Sequence, residues 1–174
     1  IKPLNLLTYK PTIYAPNVSE DDLANGNDWV EKVRNIAAAE NAQLVVISAQ
    51  VESELIELPE EEIADYLESL GVEEGGLKSL IKATYQLLGL RTYFTTGEKE
   101  TKAWTIKAGM LAPQAAGVIH TDFERGFIRA ETIAYEDLVT SGSMTAAKEK
   151  GLLRSEGKDY LVKEGDIMLF RFNV

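Results

Sequence analysis

Lys10–Asp22 reads KPTIYAPNVSEDD, and this stretch decides how the first half of the chain is read. Thr12-Ile13-Tyr14-Ala15 is apolar and β-prone, and Pro16 stops the run. Asn17 and Glu20 follow at a spacing of three, with Asp21 and Asp22 behind them. The pattern predicts a buried strand that ends in a loop carrying one amide and one carboxylate. In open α/β sheets ligands sit beyond the carboxyl ends of the strands, so Asn17 and Glu20 are candidates for reading a nucleotide base. An Asn side chain can pair with adenine through two hydrogen bonds, accepting from N6 and donating to N7. Guanine presents acceptors at O6 and N7 and donors at N1 and N2. An Asp at the fourth position would grip those donors, and Glu20 is one methylene longer. Val18 would leave an apolar floor, so the pocket should suit adenine better than guanine. The plain alternative is that Asn17 is a turn residue and Glu20 starts a helix.

Outward from this stretch, Asp28 can cap a helix over Trp29–Glu40, where Trp29, Val30, Val33, Ile36 and Ala37 recur at helical spacing. Ala42–Ser48, AQLVVIS, is a short continuous apolar run and predicts a buried parallel strand. Its end, Ser48-Ala49-Gln50, lies one helix after the first loop and would meet the base from the other side, its backbone N–H groups facing ring acceptors. Helical patterns follow near Glu52–Leu58, from Pro59 to about Leu70, and over Leu77–Leu88. The order strand, helix, strand, helices predicts the end of a parallel α/β domain in residues 1–88.

From Leu90 the pattern changes. Strands are predicted at Arg91–Thr96 and Thr101–Ala108, around a turn at Gly97–Glu100. Pro113 opens a helix that Gly126 ends. Phe127–Ala134 alternates as a strand, Thr145–Leu153 is a short helix, and Tyr160–Val162 and Ile167–Phe172 are returning strands. A hairpin, a crossing helix and returning strands define a β-grasp, or ubiquitin-like, domain over residues 89–174.

Composition narrows the function. The net charge of −10 lies entirely in the first half, with 16 acidic and 6 basic residues through Leu90 and 12 of each after it. The first half is therefore a poor polyanion binder, while the second can present a local basic face. Lys99, Lys102 and Lys107, with Arg125 and Arg129, are candidates for an RNA- or ribosome-binding patch beside Tyr93, Phe94 and Trp104. There is no cysteine, which removes disulfides, zinc thiolates and a cysteine nucleophile and fits a cytoplasmic protein. No apolar run approaches a membrane span of about 18 residues. His120 has Asp122 and Glu124 nearby, but one histidine without a second anchor predicts a structural residue rather than a metal ligand or base. The string Gly71–Ser79, GVEEGGLKS, resembles a phosphate-binding G-x-x-x-x-G-K-S/T loop but has Leu77 in the lysine slot and no strand before it. It predicts a helix-to-helix turn. Without a phosphate cradle the chain cannot hold a triphosphate and magnesium by itself.

Pro113–Glu131, PQAAGVIHTDFERGFIRAE, and Glu156–Val174, EGKDYLVKEGDIMLFRFNV, closely resemble the carboxyl-terminal TGS domain of the YchF family, the Obg-like ATPases among the P-loop NTPases. KPTIYAPNVSED resembles that family's variant base motif, Asn-x-x-Glu in place of Asn-Lys-x-Asp. The resemblance implies that Asn17, Val18 and Glu20 contact the base and that Ser48, Ala49 and Gln50 form the loop closing over it. It also implies ATP preferred over GTP, slow hydrolysis, and association with ribosomes or RNA. The family's phosphate-binding and switch motifs are not in this sequence, so no catalytic residue is carried over and magnesium is expected only with an upstream part. The start at Ile1, in mid-pattern, reads as a fragment. Its sheet should then have open edges that recruit the missing half or a second copy by strand exchange. The rival expectation is a β-grasp module that binds RNA, the ribosome or a protein, with no nucleotide function in this chain.

Overall fold

The computed structural model describes residues 2–4, 6–97 and 100–173. The chain is a mixed α/β protein that divides into two compact units, 1–88 and 89–174.

In the first unit, strand β1 (Ile13–Tyr14) pairs in parallel with β2 (Gln43–Leu44) across the connecting helix α1 (Asp28–Ala39). Asn27, not Asp28, caps α1. Its Oδ1 accepts the backbone N–H groups of Trp29 and Val30 at 3.0 and 3.1 Å, while its Nδ2 donates to Asp22 at 2.7 Å. The acidic run after Glu20 is thus partly used to build the entry to α1. Helices α2 (Ala49–Glu57), α3 (Glu60–Ser69) and α4 (Gly76–Leu87) follow. The run Ala42–Ser48 forms only two residues of regular strand, with one further bridge between Asn17 and Ile47. Among the described residues β1 and β2 pair only with each other, so each keeps one open edge. Residues 42–47 are accordingly half-buried rather than buried. The approach to β1 holds two short 3-10 turns, Lys2–Leu4 and Leu7–Tyr9.

The second unit is a five-stranded mixed sheet built from β3 (Leu90–Thr96), β4 (Thr101–Lys107), β5 (Phe127–Ala134), β6 (Arg154–Glu156) and β7 (Asp166–Phe172). Their order is β4-β3-β7-β5-β6. The first hairpin is antiparallel, and the last strand enters the middle of the sheet parallel to β3. This is the β-grasp topology. Helix α5 (Ala112–Ile119) crosses one face over a core of Tyr93, Ile106, Ala116, Phe127, Met168 and Phe170. Tyr93 is fully buried, donates its hydroxyl to the Ala115 carbonyl at 2.9 Å, and meets Phe170 edge-on. On the other face Ile133, Ala147 and Ile167 form a second buried cluster with Leu138 of α7 (Tyr135–Ser141) and with Leu152 and Leu153, which follow α8 (Met144–Glu149).

Three local expectations change. The predicted helix from Pro113 to Gly126 breaks at His120, whose backbone is extended, and resumes as α6 (Thr121–Arg125). The His120 ring caps that turn, its Nδ1 accepting the Asp122 N–H at 3.2 Å. Tyr160–Val162 is not a strand but an extended segment with a single bridge, Leu161 to Leu111. The strand that completes the edge is β6 instead, antiparallel to β5. No helix among the described residues is long and apolar enough to cross a membrane.

Candidate nucleotide-base site

The two strand-end loops of the first unit are held side by side by the backbone. The Ile47 N–H donates to the Pro16 carbonyl at 3.0 Å, and the Val18 N–H donates to the Ile47 carbonyl at 2.8 Å. Beyond that ladder one side-chain bond joins the tips, with the Ala49 N–H donating to Asn17 Oδ1 at 2.9 Å. Ser48 is buried, and its hydroxyl caps α2 by accepting the Val51 N–H at 3.5 Å. Asn17, Ala49 and Gln50 are exposed, whereas Val18 and Glu20 are half-buried. Glu20 opens a 3-10 turn, Glu20–Asp22.

This geometry revises how Asn17 can read a base. One lone pair of Oδ1 is engaged by Ala49, and a carboxamide presents its two ends in opposite roles. Asn17 therefore offers Nδ2 as a donor, suited to a purine N7, and keeps one remaining lone pair on Oδ1, so a second acceptor beside it would share the contact with N6 of adenine. The Ala49 N–H, expected to face a ring acceptor, is engaged within the protein.

Gly76 supports the loop from beneath. A Cβ there would lie 2.8 Å from Ile47 Cγ2 and 3.1 Å from Ile47 Cα, so only glycine allows α4 to approach this closely. The Gly76 N–H donates to Glu52 Oε1 of α2 at 2.6 Å. A carboxylate thus occupies the start of α4 where a phosphate cradle would need an anion, and GVEEGGLKS is a turn between α3 and α4.

Around the rim, Gln50 Nε2 donates to Glu54 Oε1 at 3.1 Å, one helical turn along α2. The Tyr66 hydroxyl of α3 donates to Glu54 Oε2. That bond pushes the Tyr66 phenol up to about 12, with burial and the charges of Glu54 and Glu20 adding to it. Tyr66 and then Gln50, by donating, hold the Glu54 carboxyl below its ordinary range.

The described basic candidates of the second unit lie on different elements. Lys102 and Lys107 both lie on β4, five residues apart, and strand alternation puts them on opposite faces. The Lys102 ammonium lies 4.3 Å over the Trp104 ring. Arg129 is on β5, separated from β4 by β7 and β3. It is paired with Glu131 at 3.0 Å and bonded to Ser155 at 3.2 Å. Arg125 is exposed at the end of α6. Lys99 lies outside the described residues.

The comparisons with known proteins agree with this architecture. The family model YchF-GTPase_C, described as "Protein of unknown function (DUF933)", matches residues 90–173. Proteins named Ribosome-binding ATPase YchF align with the whole chain, that of Bacillus subtilis at 58% identity and that of Haemophilus influenzae at 55%. The chain spans 48% of the length of each, about half of these curated relatives. The solved structure of the Schizosaccharomyces pombe YchF GTPase is similar at a TM-score of 0.79 and 37% identity, covering 97% of this chain and 45% of that one. A GTP binding protein from Pyrococcus horikoshii OT3 shares the fold at a TM-score of 0.63 and 18% identity, over 94% of this chain and 46% of that one. Paired strand-end loops followed by a β-grasp sheet make this a mixed α/β protein. It belongs to the YchF family and corresponds to the carboxyl-terminal part of that family's proteins.

Proposed function

We propose that residues 1–88 are the base-recognition end of a nucleotide-binding domain, that residues 89–174 are its TGS module, and that the whole protein is a cytoplasmic, ribosome-associated ATPase that prefers ATP to GTP. The observation that carries this reading is the bond from the Ala49 N–H to Asn17 Oδ1, which joins the two loops and orients the amide so that Nδ2 can donate to a purine N7. Val18, Glu20, Ser48 and Gln50 surround that pair. The phosphates and magnesium are held by polypeptide upstream of this segment, which pairs along the open edges of β1 and β2. Where that polypeptide is missing, a second copy takes its place by strand exchange. The ribosome is the proposed partner because the relatives at 53–58% identity carry that association in their names.

Replacing Asn17 by Ala removes both the tie to Ala49 and the N7 donor. Titration of labelled ATP into a protein of the relatives' length should show affinity about tenfold weaker in Asn17→Ala, the equivalent of roughly 1.4 kcal/mol. Equal affinity in the two would sink the base-reading role. Co-sedimentation with ribosomes that is absent at every salt concentration would sink the partner assignment.

A further inference from the structure

We propose that Gln50, oriented by Glu54 and Tyr66, is the acceptor that selects the 6-amino group of adenine, so that purine choice in this pocket is set from α2 and α3 rather than by Asn17. The inference rests on the nucleotide reading above and adds to it the residues that decide which base is taken.

The chemistry follows from the direction of each bond. An ionised carboxylate only accepts. Glu54 therefore fixes the Gln50 amide with Nε2 toward itself, at 3.1 Å, and leaves Oε1 as the end not turned to Glu54. Glu54 is in turn held by the Tyr66 hydroxyl, which stays a donor throughout the physiological range because its pKa is raised. Gln50 directly follows Ala49, the residue bonded to Asn17, and so stands in the first turn of α2, next to the joined loop tips. A carbonyl oxygen at that rim accepts from N6 of adenine. Toward guanine it meets O6, another acceptor, and the two oxygens repel. Asn17 Nδ2 bonds N7, which both purines carry, and so does not discriminate. Tyr66 and Glu54 are positioning residues here, because they act through Gln50.

The test uses the protein of the relatives' length, with ATP and GTP titrated separately into each variant. Glu54→Gln is isosteric, but its amide can present either end to Gln50, so Gln50 loses its fixed orientation. The ratio of GTP to ATP dissociation constants should fall about fivefold. Gln50→Lys places a donor at the rim, changes only an exposed side chain, and should shift the ratio toward GTP by at least as much. In a Gln50→Ala background Glu54→Gln should no longer change the ratio, because the two act as one unit. A merely structural role for Glu54 would change both dissociation constants together and leave the ratio alone. A ratio unchanged in both Glu54→Gln and Gln50→Lys, while Asn17→Ala weakens both nucleotides, overturns the proposal and leaves the pocket standing. No effect of Asn17→Ala on either nucleotide overturns the pocket, and this proposal with it.

Discussion

Replacing Asp166 by Ala is expected to destabilise residues 89–174 by about 3 kcal/mol. Asp166 stands at the start of β7 and is 2% exposed. Its Oδ2 accepts the Tyr160 hydroxyl and the Lys163 N–H, both at 2.8 Å, and its Oδ1 lies 3.6 Å from the Arg154 guanidinium. The Tyr160 oxygen also accepts from Arg154 at 3.1 Å, and Arg154 reaches Glu156 at 3.0 Å. Burial, and then the bond to Asp166, push the Tyr160 phenol upward, so it remains a donor across the physiological range. One buried carboxylate therefore anchors the segment before β7 to its own strand and to edge strand β6. Alanine leaves a phenol and a backbone N–H without an acceptor, and leaving such groups unsatisfied costs more than the net worth of the bonds. Arg154 keeps Glu156 and is partly exposed, which holds the loss below that of a fully buried ion pair. Asp166→Asn keeps one acceptor oxygen and should cost roughly half as much. Urea unfolding followed by Trp104 emission, in a Trp29→Phe background, measures both. A loss below about 1 kcal/mol for Asp166→Ala would mean that water replaces the carboxylate and that this network does not hold the strand.

The sheet of the second unit was legible because its strands alternate and its turns carry the expected residues. The pattern predicts a strand over Thr101–Ala108, and Thr101–Lys107 forms one, with Ile106 buried between exposed neighbours. Edge strand β6, Arg154-Ser155-Glu156, was missed because all three side chains are polar. Its place is set by pairing with β5 and by the reach of Arg154 to Tyr160, neither of which leaves a periodic signal. Helix α7 was missed although two signs were present. Glu136 and Asp137 fill its first turn, and Gly142 ends it at φ 75°, a left-handed conformation that favours glycine. The break at His120 was hidden inside a good helical pattern, and the lone histidine proved to be a cap.

In the candidate site the loops were legible from their position after two apolar runs, but the direction of their hydrogen bonds was not. Nothing in the string N-V-S-E says that Asn17 Oδ1 is engaged by Ala49. The Tyr66–Glu54–Gln50 series joins residues from two helices, a separation that no short motif spans. For the basic candidates, strand alternation rather than nearness along the chain decides which face of β4 a lysine occupies. The five-residue spacing of Lys102 and Lys107 already placed them on opposite faces.

Gly126→Ala is expected to cost about 3 kcal/mol, chiefly by steric force rather than backbone strain. The residue ends α6 at φ −89°, a conformation any amino acid adopts. A Cβ at this position, however, would overlap the carbonyl oxygen of Asn173 and lie 2.8 Å from its carbonyl carbon. Both are backbone atoms, so no side-chain rotation relieves the contact, and the end of β7 must move. That shift would lengthen the bond in which the Asn173 N–H donates to the Gly126 carbonyl at 2.9 Å. It would also open the stacked pair Phe123 and Phe172, whose ring centroids lie 3.9 Å apart. Gly157→Ala is the matched control. Among the described residues nothing lies within 4 Å of the Cβ position there, and the substitution should be neutral or slightly stabilising through the unfolded chain. Parallel urea titrations of the two variants, with hydrogen exchange at the Asn173 amide, separate a local clash from general loosening. Unchanged protection of that amide together with a stability loss within about 0.5 kcal/mol of the control would show that β7 yields without cost. The close approach of α6 to the strand would then carry no stabilisation.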